Sequence, residues 1–445
     1  MPTTRSRAPW IGLWVALLLA LVAFVVPPLF GWEVWARASR SMATGDLPPL
    51  HGYWQPKLFG PGTLPAVAIA LLGWRYAVDL ADRLSWRRLL IVSYAAGLAW
   101  LLALAFVDGA SGISRVLGDD YEYLRSARAV TDVHQLLTTY VDRIPNTAPD
   151  NWPTHPAGHP PGALLFFVGL VKVGLGGDLA AGMVVTVIAA TTALAVLVTL
   201  RALGAEVMAR RAAPFLVLTP AAVFMAVSAD ALFAAVAAWG LACLALGARS
   251  ASRGRLVAWS VLAGLLLGCG VLMSYGLPLV GLLAIAVLVV ARSWLSLPIA
   301  AGSALAVVLA FAAGGFSWWE AYPVLNDRYW DGIAADRPAA YWMWGNLAAL
   351  VVCAGPLLGA GLAQLVALRR RADRVVLWLV SAAVAAIVLA DLSRMSKAEV
   401  ERIWLPFVPW LMVSTALLPE RWRRTGVAVQ VVSALLVQQL LYTSW

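Results

Sequence analysis

The run WIGLWVALLLALVAFVVPPLF, Trp10 to Phe30, decides the fold. It is apolar without interruption, and a hydrocarbon core about 30 Å thick takes about 20 helical residues to cross. An alternating pattern would indicate a barrel strand, whereas a continuous one indicates a spanning helix. Val26-Pro27-Pro28-Leu29-Phe30 offers no small-residue cleavage site, so the run reads as an uncleaved first helix and not as a leader peptide.

Similar runs follow at 61 to 80, 89 to 107, 162 to 175, 180 to 203, 212 to 227, 231 to 247, 256 to 273, 277 to 292, 296 to 315, 346 to 368, 375 to 391, 403 to 418 and 426 to 443. The stretches 162 to 175 and 212 to 227 are short for a crossing, which predicts a half-span or a tilted helix at one of them. Across its 445 residues the chain is 62% hydrophobic and 13% charged, with a mean hydropathy of +0.80. No soluble domain of that size sustains such values.

The expected fold is therefore an all-α polytopic membrane protein of about 12 to 14 transmembrane helices, with extracytoplasmic loops that bear surface helices. It divides into an N-terminal helix pair (1 to 88), a core with an acidic outer loop (89 to 260, loop 108 to 161) and C-terminal helices with outer loops at 316 to 345 and 392 to 402.

Arginine sets the orientation, because basic residues in short loops stay cytoplasmic. Arg5 and Arg7 place the amino terminus inside; Arg83, Arg87 and Arg88, then Arg249, Arg253 and Arg255, then Arg369 to Arg371 with Arg374, and finally Arg421, Arg423 and Arg424 mark inner loops. The loops 32 to 60, 108 to 161, 316 to 345 and 392 to 402 then fall outside. Arg210-Arg211 demands the inner side as well, which conflicts with strict alternation after residue 162. The net charge of +10 reads as this topology signal and not as a nucleic-acid surface. Cys243, Cys269 and Cys353 lie in apolar runs without paired spacing and read as packing residues. No Gly-rich phosphate loop is present, which argues against an ATP-driven pump.

The chemistry is concentrated outside. Loop 108 to 161 holds seven acids against four arginines, and all four histidines (His51, His134, His155 and His159) lie in outer segments. Asp119-Asp120-Tyr121-Glu122 leads into Tyr123, Leu124, Ala127 and Val130, which have helical apolar spacing and predict a surface helix. A helix start needs only one acid as a cap, so the second is left as a general-base candidate at the water-lipid boundary. His155-Pro156-Ala157-Gly158-His159-Pro160-Pro161-Gly162 reads as a rigid lead-in to the next span. Its prolines forbid a regular zinc-binding helix, so no metal site is expected and substrate contact is the better role.

Two further outer loops contribute. Loop 316 to 345 carries Trp318, Trp319, Tyr322, Tyr329, Trp330, Tyr341, Trp342 and Trp344, suited to interfacial anchoring or to stacking on sugar rings. Loop 392 to 402 places Lys397 and Arg402 outside, against the orientation trend, next to Glu399 and Glu401. A lipid phosphate is a fitting partner for these cations, as are the neighbouring acids.

An acid pair in a large outer loop on a surface helix, a His-Pro-Pro-Gly lead-in and a late Glu-x-Glu-Arg-x-Trp segment together resemble the GT-C class of membrane glycosyltransferases. More narrowly, the pattern is similar to uncharacterised actinobacterial members related to the mannosyl- and arabinofuranosyltransferases of the cell envelope. The resemblance spans about 89 to 418. It implies one of Asp119 and Asp120 as catalytic base and a polyprenyl-phosphate sugar donor drawn from the bilayer. It further implies a glycan or glycolipid acceptor outside the plasma membrane and, in many members, metal-independent inversion.

On that basis Lys397, Arg402 and Arg128 are expected to bind the donor phosphate, and Tyr121, Glu122, His155 and His159 the sugar hydroxyls. No cofactor is required, a divalent cation being left open; membrane lipids are partners and nucleic acid is not. The chain departs from the class in placing two extra helices before the acidic loop, which makes Glu33 and Asp46 reserve candidates for the acid. A transporter or flippase of lipid-linked sugars is the competing function, and a noncatalytic assembly partner in envelope synthesis a third.

Overall fold

The opening run forms the helix Ala8–Phe30, closed by Gly31 in the left-handed region at φ 63°, where a side chain would be strained. The structure is a computed structural model that describes residues 7 to 37 and 47 to 443. Arg5 and Asp46 lie outside the described residues.

Eight helices among the described residues are long and apolar enough to cross a bilayer, and the pair Ala339–Ala354 and Leu357–Arg371, bent by 104°, makes up to nine. This is an all-α polytopic membrane protein, with fewer full-length crossing helices than the 12 to 14 expected. The shortfall has a local cause. The run 212 to 227 is split into Glu206–Val217 and Ala222–Met225 around Thr219-Pro220, where proline offers no donor to continue the helix. The run 403 to 418 is divided into short turns by Pro406 and Pro409 in the same way.

Side-chain contacts define two ends. At one, Arg210 donates to the carbonyls of Ala81 and Leu84 at 2.9 and 2.8 Å, Arg423 pairs with Asp82 at 2.7 Å, Arg424 pairs with Asp79 at 2.7 Å, and Arg211 donates to Ala416 O at 2.7 Å. Arg210-Arg211 thus shares an end with the helix turn at 84 to 86 and with the start of Glu420–Leu440. At the other end, Gly52–Trp54 pairs antiparallel with Leu441–Thr443, and Lys57 pairs with Asp108.

The conflict in alternation is removed by the helix Pro161–Lys172, both of whose ends stay with loop 108 to 161. Tyr123 packs on His159 near its start and on Phe167 within it, at 5.9 and 5.1 Å between centroids. Arg128 donates to Gly176 O just beyond its end, at 2.8 Å. This helix lies along Tyr123–Ala129 and returns the chain to the end it started from.

Candidate functional site: a buried charged cluster beneath the loop end

Loop 108 to 161 folds as short helices whose apolar residues face inward. Tyr123, Leu124 and Ala127 of the helix Tyr123–Ala129 are buried, as their spacing predicted. The cap is not Asp119 or Asp120. Glu122 occupies that position, and its side chain makes no capping bond; it turns inward and is only 5% exposed.

There Glu122 Oε1 lies 3.5 Å from His155 Nε2. Neither Glu122 Oε2 nor the Tyr123 hydroxyl finds a hydrogen-bond partner among the described residues. Burial, with smaller contributions from Asp230 and Asp119 and against the pull of Arg402, pushes the Glu122 carboxyl up to about 8. It is a neutral acid at pH 7, able to donate its proton in a hydrogen bond.

His155 lies on the short helix Thr154–Gly158 and His159 follows it, their rings 6.5 Å apart and nearly parallel; the segment leads into Pro161–Lys172, which is too short to be the span expected there. His159 Nδ1 lies 2.9 Å from His155 O. A carbonyl only accepts, so Nδ1 carries the proton and Nε2 presents a lone pair. Burial lowers both imidazoles below their usual range, and for His155 the nearby Arg402 guanidinium adds to this. Both are therefore neutral at pH 7.

The cation beside them is Arg402. Its Nη1 lies 2.6 Å from Asp230 Oδ2 and its Nη2 3.1 Å from Glu399 Oε2. Asp230 comes from the first turn of Ala229–Ala248, a helix capped by Ser228. Glu399 sits at φ 62° and also meets Arg337 Nη2 at 3.3 Å. Burial works to raise Glu399, but His51 when protonated, and Arg337 and Arg402 throughout, outweigh it and lower the carboxyl below its usual range. His51 closes the group from the 47 to 57 segment: its backbone N–H donates to Glu401 Oε1 at 2.8 Å, and burial lowers its imidazole to about 4.

Of the residues expected at the site, Glu122, His155, His159 and Arg402 are brought together. Asp119 stands at the exposed rim with Oδ1 accepting from Tyr121 N at 2.9 Å, close enough to act on Glu122. Asp120 points to solvent and pairs with Arg125 at 2.6 Å. Tyr121 is 58% exposed, but its carbonyl accepts from His155 N at 3.1 Å. Glu33 is exposed.

Two expected phosphate ligands are engaged elsewhere. Arg128 is bound to Asp178 and Gly176 O. Lys397 Nζ donates to Arg337 O at 2.8 Å and lies 4.6 Å from the centre of the Trp330 ring. The helix Trp318–Trp330 packs on the acidic loop, Arg328 donating to Ile144 O and Trp152 O.

The sequence reading missed Asp230 and Arg337 as members, whereas Glu399 was weighed there as an ion-pair partner of the loop's cations and does pair with Arg402. Only Asp230 had a usable signal: a Ser-Ala-Asp start to a long apolar helix, where a lone acid is costly without a partner. The three cysteines are free thiols, and no group of three or more His, Cys, Asp or Glu residues suited to a metal ion occurs among the described residues.

No family model matches the chain, and neither the curated proteins nor the solved structures contain a significant match.

Proposed function

We propose that this protein is a GT-C-type glycosyltransferase that moves a sugar from a polyprenyl-phosphate donor to a glycan or glycolipid acceptor in cell-envelope synthesis. The observation that carries this reading is the meeting of Arg402, Glu122, His155 and His159, drawn from distant parts of the chain, at one end of an apolar bundle. A phosphate approaching there meets the Arg402 guanidinium, which is shared between Asp230 and Glu399, and a carboxyl at position 122 whose burial favours its neutral, donating form.

In the reaction the acceptor hydroxyl oxygen attacks the anomeric carbon, the bond from that carbon to the phosphate oxygen breaks, and its electron pair leaves with the phosphate. The hydroxyl proton passes to a base. Asp119 at the rim is the better of the two expected bases, because Arg125 already occupies Asp120. A single displacement needs only this one base. The competing transporter reading calls for charged groups midway through the bundle, whereas the ion pairs of Arg402, Arg423 and Arg424 lie at its two ends.

The test is transfer of labelled mannose and arabinofuranose from polyprenyl-phosphate donors by the protein in nanodiscs. Asp119→Asn should lower transfer by about 100-fold or more, the usual contribution of a general base. Unchanged transfer in this variant removes Asp119 from the role, and absence of transfer by the wild type from either donor overturns the proposal.

A further inference from the structure

The helices Thr63–Arg83 and Trp86–Asp108 form a hairpin at the arginine-rich end, and an apolar groove runs between them. Ile69, Leu72, Tyr76, Leu80 and Leu84 line one wall and Leu89 the other, around a cavity of about 390 Å³. The spacing of 69, 72, 76, 80 and 84 follows one face of a helix. At 1.5 Å per residue the groove extends about 22 Å, which is half the thickness of a bilayer with its headgroups. It ends at the turn 84 to 86.

Three exposed arginines, Arg83, Arg87 and Arg88, surround that turn. None of them forms an ion pair among the described residues. The acids nearby are committed elsewhere: Asp79 to Arg75 and Arg424, Asp82 to Arg423, and Glu206 to Arg201 and Arg210. The end of the groove therefore carries uncompensated positive charge, while its walls, apart from the Tyr76 and Ser93 hydroxyls, are hydrocarbon.

We propose that this groove is a binding site for an anionic phospholipid, one acyl chain lying between the two helices and the headgroup phosphate resting on Arg83, Arg87 and Arg88. The depth fits one leaflet, and the charge selects against zwitterionic headgroups. Orientation alone accounts for arginines at a turn, but it does not account for a leaflet-deep groove ending among them. The site is separate from the charged cluster and does not depend on the transferase reading.

The full-length protein in nanodiscs of equal phosphatidylglycerol and phosphatidylcholine with identical chains, released into detergent and measured by native mass spectrometry, tests this. Phosphatidylglycerol should be retained over phosphatidylcholine by about fivefold or more, on the scale of one basic residue near a charged lipid. Ala77 also lines the groove, and Ala77→Trp, which fills it, should abolish retention of both. Arg83, Arg87 and Arg88 changed together to Gln should erase the preference, and the same three changed to Lys should keep it. Added inorganic phosphate should not displace the lipid. Equal retention of the two lipids in the wild type, or unchanged retention in Ala77→Trp, overturns the site; a preference that survives the Gln variant overturns its headgroup half.

Discussion

Arg402 Nη1 lies 2.6 Å from Asp230 Oδ2, a buried contact between residues 172 positions apart. It joins the start of one long apolar helix to the last loop of the chain. Removing one partner of a buried pair costs about 3 to 5 kcal/mol where the other charge is left alone; Arg402 keeps Glu399 at 3.1 Å, so the loss of Asp230 falls at the lower end of that range. Asp230→Ala should therefore lower the thermal unfolding midpoint sharply, and adding Arg402→Met to it should recover part of the loss. A double variant as unstable as the sum of the single ones would show that the two residues do not act as a pair.

The crossings were legible in the sequence because a continuous apolar run has few other solutions, and the inward face of Tyr123–Ala129 followed from spacing alone. The breaks at Thr219-Pro220 and at Pro406-Phe407-Val408-Pro409 were less so, since a run can be apolar enough to span and still lack the backbone donors for an unbroken helix. The site was legible only in part. His155 and Glu122 belong to one outer loop and were expected together, but Asp230 and Arg337 meet Arg402 and Glu399 only through packing. Lys397 and Arg128 show the opposite case: each is basic and well placed along the chain, yet a carbonyl or an aspartate nearby already holds it.

Glu122 should make stability depend on pH. Burial favours its neutral form, so the folded protein keeps this proton up to about pH 8, whereas the unfolded chain releases it near 4.5. Its contribution is full below the lower value and is lost as pH rises through the upper one. Glu122→Gln keeps a neutral side chain of the same shape at every pH. The unfolding midpoint of the wild type should fall between about pH 5 and pH 9, and that of Glu122→Gln should fall less. Parallel curves would place an ionised carboxylate at 122.

On the proposed transferase reading, donor binding should discriminate between the expected phosphate ligands. Arg402 is anchored in the cluster, and Lys in its place cannot reach Asp230 and Glu399 with the same fork. Arg402→Lys should raise the KM for the polyprenyl-phosphate donor by about 10-fold or more, the effect of a lost charged hydrogen bond. Arg128→Gln should leave it unchanged, because that guanidinium is spent on Asp178 and Gly176. The reverse order of effects would move the phosphate from the cluster to the end of the helix Tyr123–Ala129.

Two membrane helices meet backbone to backbone at a pair of glycines. The helices Ala8–Phe30 and Leu357–Leu368 cross at Gly12 and Gly359, where a Cβ built on Gly12 would stand 2.0 Å from Gly359 O and one built on Gly359 would stand 2.2 Å from Gly12 O. Small residues let helix backbones touch in this way inside a bilayer. Gly12→Leu forces them apart and should cost about 1 to 3 kcal/mol, as overpacking does. Gly302, on the helix Ser296–Ala313, has nothing within 4 Å of its built Cβ, so Gly302→Leu should leave the midpoint unchanged. Thermal unfolding of the two variants side by side, in the same detergent, separates the crossing from a general effect of adding leucine to a membrane helix; equal shifts in both would remove the contact as the cause.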